Sequence, residues 1–311
     1  MIKSFRSILS VPAVTVVLLS GCWKSTVPDR PPITTATPSA SPSAASPTPR
    51  ETNSNMANTD AKPKASEGFF GNVPANFERP SDDVGNRLLK EYGAIFIARG
   101  GATPPMTVIF RDESAVSAFQ GSLSKSSENI GGVSIELQSA AMDALKKAIS
   151  DAKTSGKSIT PRGADAARRN YTGTVELWKS RVDPGLAHWT GKGRITSADA
   201  ARIKALSPFE QVPEIFKLEE QGMFFAKDLS KSIIYSVAPP GTSQHLSMLA
   251  LDVTEHTDAG VRSVLAKHGW YQTVVSDLPH FTFLGVPEPE LSGLGLKKVN
   301  NGGRDYWLPS L

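Results

Sequence analysis

Hydrophobic side chains in the second half of the chain recur at two spacings, and each spacing predicts a different kind of element. From 139 to 152 they recur every three or four residues, which predicts an amphipathic helix that ends at Gly156. The same spacing within 258–269 predicts a second helix. Residues 249–253 form a short apolar run and residues 280–284 alternate between polar and apolar, so both segments predict strands.

Weaker patterns predict the elements on either side of this region. Residues 92–98 and 106–110 are rich in apolar side chains and predict two more strands, followed by a short helix over 112–120. Helix-capping signals within 181–231 predict a helical insertion. Together these elements predict an α+β fold in which helices flank a small antiparallel sheet.

The first part of the chain differs in composition from the rest. Two basic residues precede an apolar run over 8–19, which is too short to span a bilayer and is typical of a signal peptide. The run ends in Leu-Ser-Gly-Cys, the form of a bacterial lipobox, so residues 1–22 predict a lipoprotein signal peptide whose Cys22 becomes lipidated. Residues 23–67 are rich in Pro, Ser and Thr and predict a disordered tether. We therefore expect a bacterial cell-envelope protein with a lipid anchor in the membrane, facing the periplasm or the extracellular side.

The net charge and the cysteine content limit the partners and the disulfides that can be expected. The net charge is only +4 and the basic residues are scattered, so we expect no nucleic-acid partner. Cys22 is the only cysteine, so the folded part can contain no disulfide. The rest of the chain is long enough for a well-formed core, and we expect a monomer. A small N-terminal α/β region over 68–127 and a C-terminal extension over 291–311 are expected to flank the main domain at 128–290.

Three side chains in the strand region, His245, Asp252 and His280, have the chemistry of metal ligands. His245 and Asp252 are seven residues apart and would point to opposite faces of one continuous strand. They can meet only if His245 lies in the loop that enters the strand, and a Pro-Pro-Gly turn signal at 239–241 allows this. Two histidines and one carboxylate, with a fourth position left open, are typical of catalytic zinc. We therefore expect a Zn²⁺ site here.

The same residues carry a resemblance to a known family. Ser243, His245, Ala250 and Asp252 match the pattern S-x-H-x(2)-G-x-A-x-D, and His280 matches the final ligand of the later E-x-W-H. The stretch resembles the zinc peptidases of the D-alanyl-D-alanine carboxypeptidase family, the LAS or VanY-like group. The resemblance covers about 130–286 and implies a LAS-type zinc peptidase core over the main domain.

Two departures from the family pattern concern the substrate more than the metal. Met248 stands where the family usually has glycine. Asp277 and Pro279 replace the glutamate and tryptophan that precede the final histidine. The sequence Asp277-Leu-Pro-His280 is closer to the phage-type L-alanyl-D-glutamate endopeptidases of the same superfamily.

The resemblance also implies roles for three further residues. Asp277 is expected to be the general base, since a carboxylate three residues before a ligand can take a proton from the attacking water. Arg162 follows the predicted helix at the place of the family's functional arginine, where it would bind a carboxylate or the developing oxyanion. Ser243 is expected to support the site.

Three functions remain open from the sequence. The first is a zinc carboxypeptidase that removes terminal D-alanine from peptidoglycan stem peptides. The second keeps the metal chemistry but cuts within the stem peptide. The third is a lipoprotein that binds wall peptide through the same fold without cleaving it.

Overall fold

Residues 68–311, the part that the computed structural model describes, form seven α-helices and three small antiparallel sheets joined by short 3₁₀ helices. The predicted α+β fold is confirmed. The predictions for the signal peptide, for Cys22 and for the tether over 23–67 lie outside the described residues. The helices are α1 (Asp83–Tyr92), α2 (Glu113–Ser122), α3 (Ser139–Thr154), α4 (Tyr171–Gly191), α5 (Ser197–Ala205), α6 (Pro208–Glu220) and α7 (Ala259–Lys267).

The central sheet has three strands in the order β3–β5–β4 and lies in the second half of the chain. Two hairpins, β1–β2 and β6–β7, make separate two-stranded sheets before and after it. The strands are β1 (Lys125–Ile130), β2 (Val133–Gln138), β3 (Ala250–Asp252), β4 (Trp270–Tyr271), β5 (His280–Phe283), β6 (Leu296–Asn301) and β7 (Arg304–Pro309). The strands predicted at 249–253 and 280–284 are thus present as β3 and β5.

The larger of two hydrophobic clusters in the described residues contains side chains from Phe69 to Trp307. Leu251 and Phe281, which pair across β3 and β5, are almost completely buried, and so is Trp270 of β4. Each such side chain contributes roughly 1.5–3 kcal/mol by its burial. This cluster includes side chains from all three regions expected from the sequence, 68–127, 128–290 and 291–311. Segments from both ends of the described chain therefore share one core with the central sheet.

Helices occupy most of the predicted insertion, although they begin earlier than expected. α4 starts at Tyr171, where the Asn170 side chain accepts a hydrogen bond from the Gly173 N–H and so caps the helix. Pro213 lies inside α6, because the capping box of Ser207 and Glu210 starts that helix one turn before it. Pro184 likewise lies inside α4.

The strand predicted at 92–98 is wrong. The segment forms a 3₁₀ helix, Gly93–Ile97, and all five of its residues are buried. The segment follows α1 directly, and an apolar run fits any fully buried element as well as it fits a strand.

The strand predicted at 106–110 is also wrong, because its backbone pairs with two different segments. Thr107 makes a single isolated bridge to Glu78, and the Phe110 N–H donates to the Gly241 carbonyl oxygen. The helices predicted at 112–120, 139–152 and 258–269 are present as α2, α3 and α7. In 68–311, no helix combines the length and the apolar character needed to cross a membrane.

Candidate metal centre

His245 lies on a buried 3₁₀ turn, Gln244–Ser247, that directly precedes β3. The turn ends at Met248, whose backbone is left-handed with φ of 60°, and the Met248 N–H donates to the His245 carbonyl oxygen. A left-handed residue reverses the chain sharply, so that His245 and Asp252 can face the same point although seven residues separate them.

The register of the central sheet places the other two predicted ligands beside each other. Asp252 at the end of β3 pairs with His280 at the start of β5. Residues directly opposite in an antiparallel pair present their side chains on the same face. Asp252 and His280 therefore point together towards the turn that carries His245.

Three side-chain atoms of these residues form a nearly equilateral triangle. His245 Nε2 lies 3.3 Å from Asp252 Oδ1, and His280 Nδ1 lies 3.3 Å from the same oxygen. The two ring nitrogens are 3.2 Å apart. Both imidazoles are almost completely buried, and the Asp252 side chain is 13% exposed.

Hydrogen bonds on the far side of each ring determine which nitrogens carry protons. His245 Nδ1 is 2.7 Å from the Ala167 carbonyl oxygen, which can only accept, so Nδ1 donates. His280 Nε2 is 2.8 Å from Gln244 Oε1 and donates to it. In the neutral imidazoles the two inner nitrogens therefore carry lone pairs, and the third facing atom is a carboxylate oxygen. No proton lies between the three atoms, and a cation would satisfy all of them.

The electrostatics of the buried site favour a neutral His245 ring and an ionised Asp252 carboxylate. Burial lowers the pKa of His245 and keeps its ring neutral, although the Asp252 carboxylate opposes this effect. Burial acts to raise the pKa of Asp252, but the adjacent rings of His245 and His280 hold it well below its usual range. The carboxylate is thus ionised and available to a cation. The buried group of His245, Asp252 and His280 could hold a metal ion.

Comparison with known proteins gave no relative of this chain: no family model matches the sequence, and no curated protein or solved structure does either. The chemistry of the site therefore rests on its own residues.

A cleft of about 280 Å³ reaches His245 and His280, and two other predicted site residues, Ser243 and Asp277, lie on its wall. Ser243 is almost buried at the start of the 3₁₀ turn. Asp277 is exposed, and its carbonyl oxygen accepts a hydrogen bond from the His280 N–H. The Asp277 carboxylate is thus free to interact with a molecule in the cleft.

Arg162 is placed differently from these two residues. Its backbone N–H donates to the Asp252 carbonyl oxygen at 3.0 Å, so the segment that carries it does run beside β3. Its side chain is exposed, however, and is not among the described residues that line the cleft.

Arg169 is the arginine that reaches the site. Its Nη2 donates to Asp252 Oδ2 at 2.8 Å, on the side opposite the two histidines, and its Nε donates to the Asp165 carbonyl oxygen. The backbone of the same loop holds both Asp252 and His245 in place. The Ala166 carbonyl oxygen accepts a hydrogen bond from the Asp252 N–H, and the Ala167 carbonyl oxygen accepts one from His245 Nδ1. The sequence carries no signal for this role, since neighbouring arginines at 162, 168 and 169 look alike in it.

We expect the substitution Arg169→Met to weaken metal binding by about 10–100-fold, because Asp252 would lose the group that orients it. The dissociation constant for zinc, measured by competition with a chelator, tests this. Arg168→Met is the matched control, since Arg168 binds Glu136 and Gln120 and does not touch a ligand. Equal affinities for the two variants would show that Asp252 keeps its orientation without Arg169.

Proposed function

We propose that this protein is a zinc-dependent peptidase that acts on peptidoglycan stem peptides, most simply as a D-alanyl-D-alanine carboxypeptidase. The observation that carries the proposal is the triangle of lone-pair atoms from His245, Asp252 and His280, two of which line a cleft of about 280 Å³. The protein would lie in the bacterial cell envelope, where the lipid anchor expected at Cys22 would hold the enzyme near its polymer substrate.

The spacing of the three atoms supports zinc as the metal. Zinc–nitrogen and zinc–oxygen bonds of about 2.0–2.1 Å place the ligands of a tetrahedral ion roughly 3.3–3.4 Å apart. The observed separations are 3.2 and 3.3 Å. Within 68–311 the group contains three protein ligands and no fourth, the arrangement of catalytic rather than structural zinc.

The backbone at Met248 supports the resemblance to the carboxypeptidase family. At this position the family pattern has glycine, the residue that adopts positive φ without strain. Met248 has φ of 60° and is completely buried. A glycine would adopt this conformation without strain, so the residue in the family pattern agrees with the backbone observed at Met248.

The chemistry divides between the metal and the residues of the cleft. When bound, zinc supplies a Lewis acid that lowers the pKa of water to about 7. Asp277, the exposed carboxylate on the cleft wall, would take the proton of the attacking water and pass it to the leaving amine. Arg169 keeps Asp252 oriented, and the Ala167 carbonyl oxygen keeps the His245 lone pair directed inward.

One observation favours cleavage within the stem peptide as a second candidate function. The cleft shares Asp165, Arg169 and Leu177 with a larger open groove of about 770 Å³ beside the start of α4. A groove that continues past the metal site can accommodate a peptide that extends on both sides of the cut bond. The endopeptidase-like sequence Asp277-Leu-Pro-His280 agrees with this alternative.

Digestion of a defined muropeptide with a pentapeptide stem tests the proposal. Mass spectrometry is expected to show loss of a single alanine by the zinc-loaded protein and no loss by an Asp277→Asn variant. A cut elsewhere in the stem would favour the endopeptidase. Binding of the muropeptide without any cleavage would overturn the enzymatic proposal and favour a wall-binding lipoprotein.

A further inference from the structure

We propose that Gln244 is a positioning residue that determines which ring nitrogen of His280 faces the metal. The proposal deepens the proposed function and rests on it, because it concerns the same site. Gln244 directly precedes His245 on the 3₁₀ turn, so a single turn would supply one ligand and orient another. The sequence pattern assigns this position no role.

The amide of Gln244 has one orientation that satisfies its surroundings. Its Nε2 donates to the Tyr92 carbonyl oxygen at 2.7 Å, so Oε1 points the other way, towards His280. The Thr282 hydroxyl donates to the same oxygen, and Thr273 Oγ1 lies within hydrogen-bond distance of both. The Gln244 side chain is therefore bonded at both ends, and the residue is only 4% exposed.

This arrangement fixes the tautomer of His280. Oε1 is an acceptor, so the His280 Nε2 must carry the ring proton, and Nδ1 is left with the lone pair that faces His245 and Asp252. Without the acceptor, a buried N–H would lose its partner, and the proton would be free to move to Nδ1. A proton on Nδ1 would remove one of the three ligand atoms.

The test compares zinc affinities of the purified full-length protein and its variants, measured by competition with a chelator. Gln244→Met keeps the length of the side chain and removes the acceptor, and we expect it to weaken zinc binding by about 10–100-fold. Gln244→Glu keeps an acceptor for His280 but loses the donor to the Tyr92 carbonyl oxygen, so its zinc affinity is expected to lie between those of Gln244→Met and wild type. Gln211→Leu is the matched control, because Gln211 is an equally buried glutamine that accepts from Trp178 away from the metal site.

A merely structural role for Gln244 predicts a different result. In that case Gln244→Met and Gln211→Leu would both lower the melting temperature, and neither would change the zinc dissociation constant. Wild-type affinity in Gln244→Met would overturn the proposal. A wild-type protein that binds no zinc would instead refute the proposed function itself, so the two failures are distinguishable.

A second measurement needs no variant and covers the case in which Gln244→Met does not fold. Nitrogen-15 NMR of the histidine rings in the wild-type protein reports which nitrogen carries the proton. We expect His280 to be protonated at Nε2 both with and without zinc. A proton on Nδ1 in the metal-free protein would show that Gln244 does not set the tautomer.

Discussion

The variant His245→Ala is expected to lose zinc and peptidase activity together. Removal of one of three ligands leaves a histidine and a carboxylate that cannot hold the ion at neutral pH, because no other described side chain joins the group. The loss of affinity should exceed the roughly 10–100-fold expected when only a residue that orients a ligand is changed. Metal content by mass spectrometry and the rate of alanine release are the two readouts.

The control for this prediction is His268→Ala. His268 caps the C-terminus of α7 and pairs with the exposed Asp151, outside the metal group. It should keep both zinc and activity. Retention of a full zinc equivalent by His245→Ala would place the metal somewhere else in the protein.

The variant Asp277→Asn is expected to keep zinc and to lose activity. An amide has the same size as the carboxylate but cannot accept the proton of the attacking water, and positioned acid–base groups contribute about 10²–10⁴-fold to rates. The turnover number for muropeptide cleavage should fall by that factor, while the zinc dissociation constant stays at the wild-type value.

Asp165→Asn provides the matched control for Asp277. Asp165 is an exposed aspartate on the wall of the same cleft, and within 68–311 its carboxylate forms an ion pair with Arg169 alone, at 3.7 Å. Its substitution should change the rate by no more than a few-fold. Comparable losses in the two variants would indicate that the total negative charge of the cleft matters, and not a proton transfer by Asp277.

The grouping of His245, Asp252 and His280 could be predicted because short segments of sequence carry both their side chains and their local elements. The apolar run at 249–253 and the alternation at 280–284 predict the two strands, and the turn signal before His245 allows the arrangement that is observed. By contrast, Arg169 and Gln244 could not be predicted. Arg169 meets Asp252 across 83 positions of sequence, and Gln244 meets Tyr92 across 152, so no local spacing reports either contact.

The errors in the first half of the chain have a related cause. The segment 92–98 is apolar throughout, and an apolar run does not distinguish a strand from any other fully buried element. Its 3₁₀ conformation follows from its place directly after α1, with core on all sides and the Tyr92 carbonyl oxygen bonded to Gln244. The length and the residue types of this segment favoured a strand, but its tertiary environment stabilises a 3₁₀ helix instead.

Hydrolysis is expected to depend on zinc held by His245, Asp252 and His280. The decisive measurement is a titration of the metal-free protein with zinc while muropeptide cleavage is followed. Activity should rise linearly and reach a plateau at about one zinc per chain, as expected for a single catalytic ion. Activity that is already complete without metal, or a plateau that His245→Ala also reaches, would contradict it.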